Sequence, residues 1–253
     1  MTENWTETRH DQIAVLSFSR PPKNWMDIAS MTELVTHLER LASQKDEVTV
    51  VMLTGGVDGY FIAHADLDDL AKLSRGEDVP GDLRSWVDAL ALLESMPQPT
   101  VAAINGQAWG GGCETALACT LRIGSENAHL GQPEVNVGII PGAGGTQRLP
   151  RLVGAGIGAE LCLSGRVVQA EEAMRIGLLN TVLPSDGFTS AAIEWCEQIA
   201  ANPASAVFAA KKAVVQGLKL PLSEGLRLEG QLFAQINAGD EARELNANIE
   251  RPS

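Results

Sequence analysis

Three consecutive glycines, Gly110–Gly112, stand between an apolar run, TVAAI at 100–104, and a helix-forming segment, ETALAC at 114–119. A strand-to-helix turn built from glycine can lie close against other backbone or against a ligand, because glycine has no β-carbon. The first turn of a helix also presents N–H groups without intrahelical partners, at the positive end of the helix dipole. Such a turn can hold a phosphate or stabilise a developing oxyanion. It can equally be a tight packing turn, and the triplet alone leaves these two readings level.

Glu114 follows Gly111 by three residues, which places its side chain near the same face of the first helical turn. A single carboxylate there is also a plain partner for the helix dipole. Glu134, twenty residues on, lies in GQPEVNVGIIPG, which reads as a loop too apolar to be a solvated face. Val135, Val137, Ile139 and Ile140 around it predict a desolvated carboxyl with a raised pKa, suited to proton transfer near neutral pH. The competing reading is a loop carboxylate hydrogen-bonded to backbone.

The rest of the chain reads as α/β. A strand at 12–18 pairs as a hairpin with the preceding TETR, and Arg20–Asn24 forms a loop. Apolar residues at helical spacing fill 28–41, and the β-branched run at 48–53 predicts a buried strand parallel to its neighbours. Residues 60–66 read as a short strand leading to a helix capped by Asp66; residues 74–81 form a polar loop. A helix at 83–96, a strand at 100–104, a helix at 111–119 and a strand at 120–124 follow. Past Pro150, helical patterns occupy 154–163, 170–176, 187–201, 204–217, 221–238 and 240–249, with one strand at 178–183. The expected division is a core over 1–194 and a helical region over 195–253. In that region Leu226, Leu228, Leu232, Phe233 and Ile236 need either the core or another subunit to cover them.

Bulk properties exclude several classes. With 253 residues, 45% of them hydrophobic, the chain suits one large domain with a small appendage. A net charge of −13 argues against a nucleic-acid partner, while a small anion can still be held by local cations and N–H groups. Cys113, Cys119, Cys162 and Cys196 show no C-x-x-C spacing and are expected to be buried free thiols in a reducing compartment. No uninterrupted apolar window long enough for a membrane span occurs, and no signal-peptide pattern, so a cytoplasmic protein is expected. His10, His37, His64 and His129 lack metal-ligand spacing, and no metal is expected. The GAGIG segment at 154–158 lacks the preceding strand and following acid of a dinucleotide fingerprint. Cys113 has no positioned histidine and reads as a packed thiol.

The run AINGQAWGGGCETALACTLRIGSENAHLGQPEVNVGIIPGAGGTQRLPRLVG resembles the signature of the enoyl-CoA hydratase/isomerase (crotonase) family. Similarity extends to FIAHADL, RPPKNWM and LSGRVVQAEEAMRIGLLNTVLP, so it covers nearly the whole chain. The resemblance implies a spiral of ββα units with a helical C-terminal trimerisation part, assembled as a homotrimer or a dimer of trimers. It implies an acyl-CoA thioester substrate, with CoA as part of the substrate and no separate cofactor. Its oxyanion hole would come from the backbone N–H groups of Ala65 and Gly111. Glu114 would hold a water and Glu134 would give the proton to C2, hydrating a 2-enoyl-CoA; Gly142 would lie near the acyl pocket. Lys23, Trp25, Ala63, His64, Asp66 and Leu67 would line the CoA, with Lys23, or Arg20, facing a phosphate. Two departures stand out: His64 occupies a family glycine, and the C-terminal ELNANIERPS lacks the usual Glu-Lys-Arg-x-Pro, leaving Arg251 as a candidate CoA contact. Alternatives are another crotonase-type acyl-CoA reaction (isomerase, lyase, decarboxylase or hydrolase) or a non-catalytic acyl-CoA-binding subunit. Glu114 argues against a simple isomerase, which often lacks that carboxylate.

Overall fold

A computed structural model describes residues 3–247. The expected terminal contact of Arg251 lies outside the described residues. The chain opens with an antiparallel hairpin of β1 (Trp5–His10) and β2 (Ile13–Phe18). β3 (Val50–Gly55), β4 (Thr100–Ile104), β6 (Leu121–Ser125) and β9 (Thr181–Leu183) then add in parallel, giving a six-stranded sheet in the order β1-β2-β3-β4-β6-β9. A second sheet contains β5 (Gln107–Trp109), β7 (His129–Gly131) and β8 (Val167–Gln169).

Period-two alternation decides which element covers each face of the large sheet. Ala14, Leu16, Val51, Leu53, Ala102 and Ile104 belong to the main core, with α1 (Ile28–Ser43), α3 (Ser85–Ser95) and α4 (Gly111–Ala118). Ile13, Val15, Val50, Met52, Val101 and Ala103 point the other way, onto Phe188, Ala192 and Cys196 of α8 (Phe188–Ala200). Each fully buried aliphatic side chain contributes roughly 1.5–3 kcal/mol. Residue 195 therefore falls inside a helix that covers the sheet.

Local chemistry sets the helix ends that shape the site. Asp27 caps α1 by accepting from Ser30 N at 2.8 Å. Asp66 caps α2 (Leu67–Ser74) by accepting from Asp68 N at 2.9 Å, as expected. Pro97 follows α3, and the buried Lys211 ammonium donates to the carbonyls of Met96 and Gln98 at 2.7 and 2.8 Å. Lys211 belongs to α9 (Ala204–Gly217), so it fastens the helical C-terminal part to the core.

Four expectations change. Residues 60–66 form no strand; they pair through single bridges, Tyr60 with Val57 and Gln107, and Ala65 with Met26. The strand expected at 178–183 begins at Thr181, because Leu178 and Leu179 are buried and their N–H groups close the turn on the Ala173 carbonyl. The segment around Glu134 is a 3-10 turn, Pro133–Val137, rather than a loop. Cys162 is half-buried, while the other three free thiols are buried. Between Gly144 and the expected helix near 154, a further helix α5 (Gly145–Val153) precedes α6 (Ala155–Ser164). α7 (Ala170–Arg175), α10 (Leu222–Asn237) and α11 (Asp240–Ala247) complete the fold.

Candidate active site

The glycine triplet is placed by two close approaches. Gly110 has φ 51, a left-handed value, and a β-carbon there would lie 2.9 Å from Glu134 Oε1. Glycine at this position thus lets the second carboxylate reach the turn. At Gly112 a β-carbon would overlap the Ile62 carbonyl, so the start of α4 lies flat on residues 61–63. Trp109 N donates to Ala63 O at 2.9 Å, and Gly110 N to Gly131 O at 2.9 Å. These contacts bring Ala65 beside Gly111: a β-carbon on Gly111 would sit 3.2 Å from the Ala65 methyl. Among the described residues neither the Ala65 N–H nor the Gly111 N–H has an internal acceptor.

The two glutamates meet the same turn. Glu114, 3% exposed, accepts from Ala143 N at 2.7 Å and Gly145 N at 2.8 Å through Oε1. Burial pushes its pKa up, against the pull of those two N–H groups and of Arg148. Arg148 also holds the surrounding loop, donating to Ala143 O at 3.0 Å. Glu134 is pushed up to about 7, first by burial and further by the nearby charge of Glu114. Buried Gln132, with its amide nitrogen turned toward Glu134, donates to Oε1 and Oε2 at 3.0 and 3.2 Å. Two carboxyls in one buried site, both hindered in their ionisation, can share and transfer a proton.

Both face a cavity of about 570 Å³. Its lining is mainly apolar, with Leu67, Leu70, Trp86, Trp109, Val137 and Ile140 among the walls. His64, Ala65, Gly111 and Gly142 also line it, so seven of the candidate site residues, with Leu67, Glu114 and Glu134, converge here, and Trp25 stacks on His64 at 5.2 Å. Lys23 Nζ lies 5.8 Å from the Trp25 ring centre, extending that stack outward. The His64 ring turns back on its own segment, with Nδ1 2.6 Å from Ala65 O.

Three of the sequence-derived candidates sit elsewhere. Ala63 is fully buried beneath the site, where its carbonyl accepts from Trp109 N. Asp66 is buried as a helix cap and ion-paired with Arg20 at 2.7 Å. Arg20 also pairs with Asp27 at 3.1 Å, so its charge is already engaged. Sequence reasoning missed Asn24. It is buried with φ 57, its Nδ2 donates to the Phe18 and Phe61 carbonyls, and its Oδ1 accepts from Arg20 N. Asparagine tolerates the left-handed region, and its position just after Pro-Pro-Lys was the available signal. No cluster of His, Cys, Asp and Glu suited to a metal occurs among the described residues.

Comparisons with known proteins point to one family. Residues 8–251 match a family model described as enoyl-CoA hydratase/isomerase. The chain is 36% identical to the 2,3-dehydroadipyl-CoA hydratase of Escherichia coli K12, over 94% of this chain and 91% of that protein. It is 35% identical to the short-chain-enoyl-CoA hydratase of Clostridium acetobutylicum, over 96% and 93% of the two chains. A crystal structure of enoyl-CoA hydratase from Bacillus anthracis superposes with a TM-score of 0.87 at 36% identity, covering 96% of this chain and 95% of the other.

Proposed function

As a member of the enoyl-CoA hydratase/isomerase family, this chain is an enzyme, and we propose that it adds water across the C2=C3 double bond of a 2-enoyl-CoA thioester to give the 3-hydroxyacyl-CoA. One observation carries the reading: two hindered carboxyls, Glu114 and Glu134, share an apolar cavity with the unpartnered amides of Ala65 and Gly111. The hydratase names of the relatives favour hydration over the other reactions of the family.

In this mechanism the thioester oxygen accepts from the Ala65 and Gly111 N–H groups. Water oxygen bonds to C3, electron density moves onto the thioester oxygen, and those fixed dipoles stabilise the enolate. Loss of one such donor typically costs ~2.7–4 kcal/mol of activation free energy. Glu134, protonated near neutral pH, gives its proton to C2. Glu114, oriented by its two backbone donors, holds the water, and the carboxyl pair takes up the proton that water releases. The CoA runs outward past Leu67 and the His64–Trp25 stack, with exposed Lys23 as the cation for a phosphate. CoA is part of the substrate, and no separate cofactor enters.

We assign self-association, as a trimer or a dimer of trimers, to the helical end of the chain, and catalysis to the core. Exposed Leu222, Leu226 and Phe233 on α10 support this, at 78%, 56% and 69% accessibility. Four free thiols support a reducing, cytoplasmic setting, and no described helix is long and apolar enough to cross a membrane.

The test is crotonyl-CoA with purified protein, following loss of the conjugated thioester absorbance. Glu114→Gln and Glu134→Gln are expected to lower kcat by roughly 10²–10⁴-fold each, the usual worth of a general acid or base. Full activity in both variants would overturn the assignment.

A further inference from the structure

Trp109 lies on the cavity wall, and its indole N–H donates to His129 Nδ1 at 3.0 Å. The two rings meet edge to face with centres 5.4 Å apart. Strand register explains the pairing: β5 and β7 are parallel, with Gln107 opposite His129 and Trp109 opposite Gly131. Alternate residues of a strand share a face, so Trp109 and His129 are diagonal neighbours.

The chemistry of the bond is one-directional. Indole is only a donor, and imidazole accepts only at an unprotonated nitrogen, so His129 must be neutral with its proton on Nε2. Burial favours that state by holding the His129 pKa down. His129 also lines a second, polar cavity with Asp58, Asn105, Asn127 and Ser185, which supplies polar surroundings on its far side. Among the described residues His129 is the one acceptor for the Trp109 N–H.

We propose that His129 is a positioning residue for acyl-chain recognition: by taking the indole N–H it fixes Trp109 as a wall against which an apolar acyl tail packs. The inference rests on the acyl-thioester reading of the same cavity. Opposite Trp109 stand Leu70, Trp86, Val137, Ile139 and Ile140, with no cationic side chain to meet a charged tail. Each methylene buried there is worth roughly fourfold in affinity, and only a tail longer than the reacting carbons can use that surface.

The experiment is calorimetry with octanoyl-CoA and butyryl-CoA, saturated thioesters that cannot be hydrated. His129→Ala is expected to cut the preference for octanoyl over butyryl by roughly 3- to 10-fold, the scale of one net hydrogen bond. His129→Asn, which keeps an acceptor near the Nδ1 position, restores the preference to within about twofold. Trp109→Phe keeps a ring without the donor, so it loses preference as His129→Ala does, and adding His129→Ala to it changes nothing more. An unchanged preference in His129→Ala, an asparagine variant as impaired as alanine, or additive effects in the double variant would overturn the proposal. Should His129→Ala fail to fold, unchanged preference in Trp109→Phe still overturns it. Wild-type protein that binds neither thioester sinks both this inference and the hydratase reading. Binding without hydration of crotonyl-CoA sinks only the latter.

Discussion

Glu134 shows what one residue costs the fold that positions it. An unfolded glutamate ionises near ~4.3, whereas in the folded chain this carboxyl is held up to about 7, by burial first and by Glu114 second. Below the lower value both states are protonated and the site is neutral to stability. Between the two, the unfolded chain releases a proton that the folded chain keeps, so stability falls as pH rises, and above pH 7 the full cost is present. Glu134→Gln removes that cost. The variant should be more stable than wild type at pH 8 by on the order of 1–3 kcal/mol, with the gap closing toward pH 4, as read by denaturant unfolding at each pH. Equal stability of the two proteins across that range would show an ordinary carboxyl. The raised pKa was legible in the sequence, but not for the reason the sequence suggested. Val137, Ile139 and Ile140 are themselves 64%, 47% and 69% exposed in the single chain. Much of the enclosure comes from the bare turn at Gly110, a contact made across the fold that no short window of sequence contains.

At the scale of elements, the site depends on one crossing segment, residues 60–66, wedged between the Asn24 loop and the start of α4. It is not a strand, because Gln107 and Met26 pair with it only at single bridges, and the work of a ladder falls to individual groups. Gly112 lets α4 lie against the Ile62 carbonyl. Gly112→Ala must push the two apart, so it should destabilise the fold by about 2–4 kcal/mol and lower kcat more than it raises KM, since the Ala65 and Gly111 amides separate. Thermal unfolding and steady-state kinetics check both parts. Asn24→Ala leaves the Phe61 carbonyl without a donor, while Phe18 O keeps only Gly56 N, and it puts alanine at a left-handed φ; a loss of about 2–4 kcal/mol is expected in denaturant unfolding. The long helices and the strands of the large sheet were legible because each carries several periods of its pattern. β5, β7 and β8 were not, since three residues contain too little alternation to recognise. α5 was hidden by Pro150 in its interior and by three glycines just before Thr146 that read as loop.

For the molecule as a whole, the division of labour we propose rests on what a single chain leaves uncovered. α10 turns Leu228, Leu232 and Ile236 half-buried toward α9, against which it packs. An adjoining, exposed face carries Leu222, Leu226 and Phe233, placed four and seven residues apart so that they lie together. Lys211 anchors α9 to the carbonyls after α3, so this apolar face is presented on a fixed platform rather than on a free tail. The sequence identified Leu226, Leu228, Leu232, Phe233 and Ile236 as needing cover but could not sort them between core and partner, because both outcomes use the same helical period. A charge of −13 on each chain opposes the proposed assembly at long range, so the contact we propose uses such apolar faces. Burying a phenylalanine is worth ~1.5–3 kcal/mol, and an ionised carboxylate in its place has no partner once covered. Phe233→Glu is therefore expected to shift sedimentation velocity from an assembled species to the 26.8 kDa single chain, while leaving the far-ultraviolet circular dichroism unchanged. A variant that sediments with the wild type would place the subunit contact on another surface, with Leu163 and the exposed end of α9 at Leu218 as the next apolar candidates.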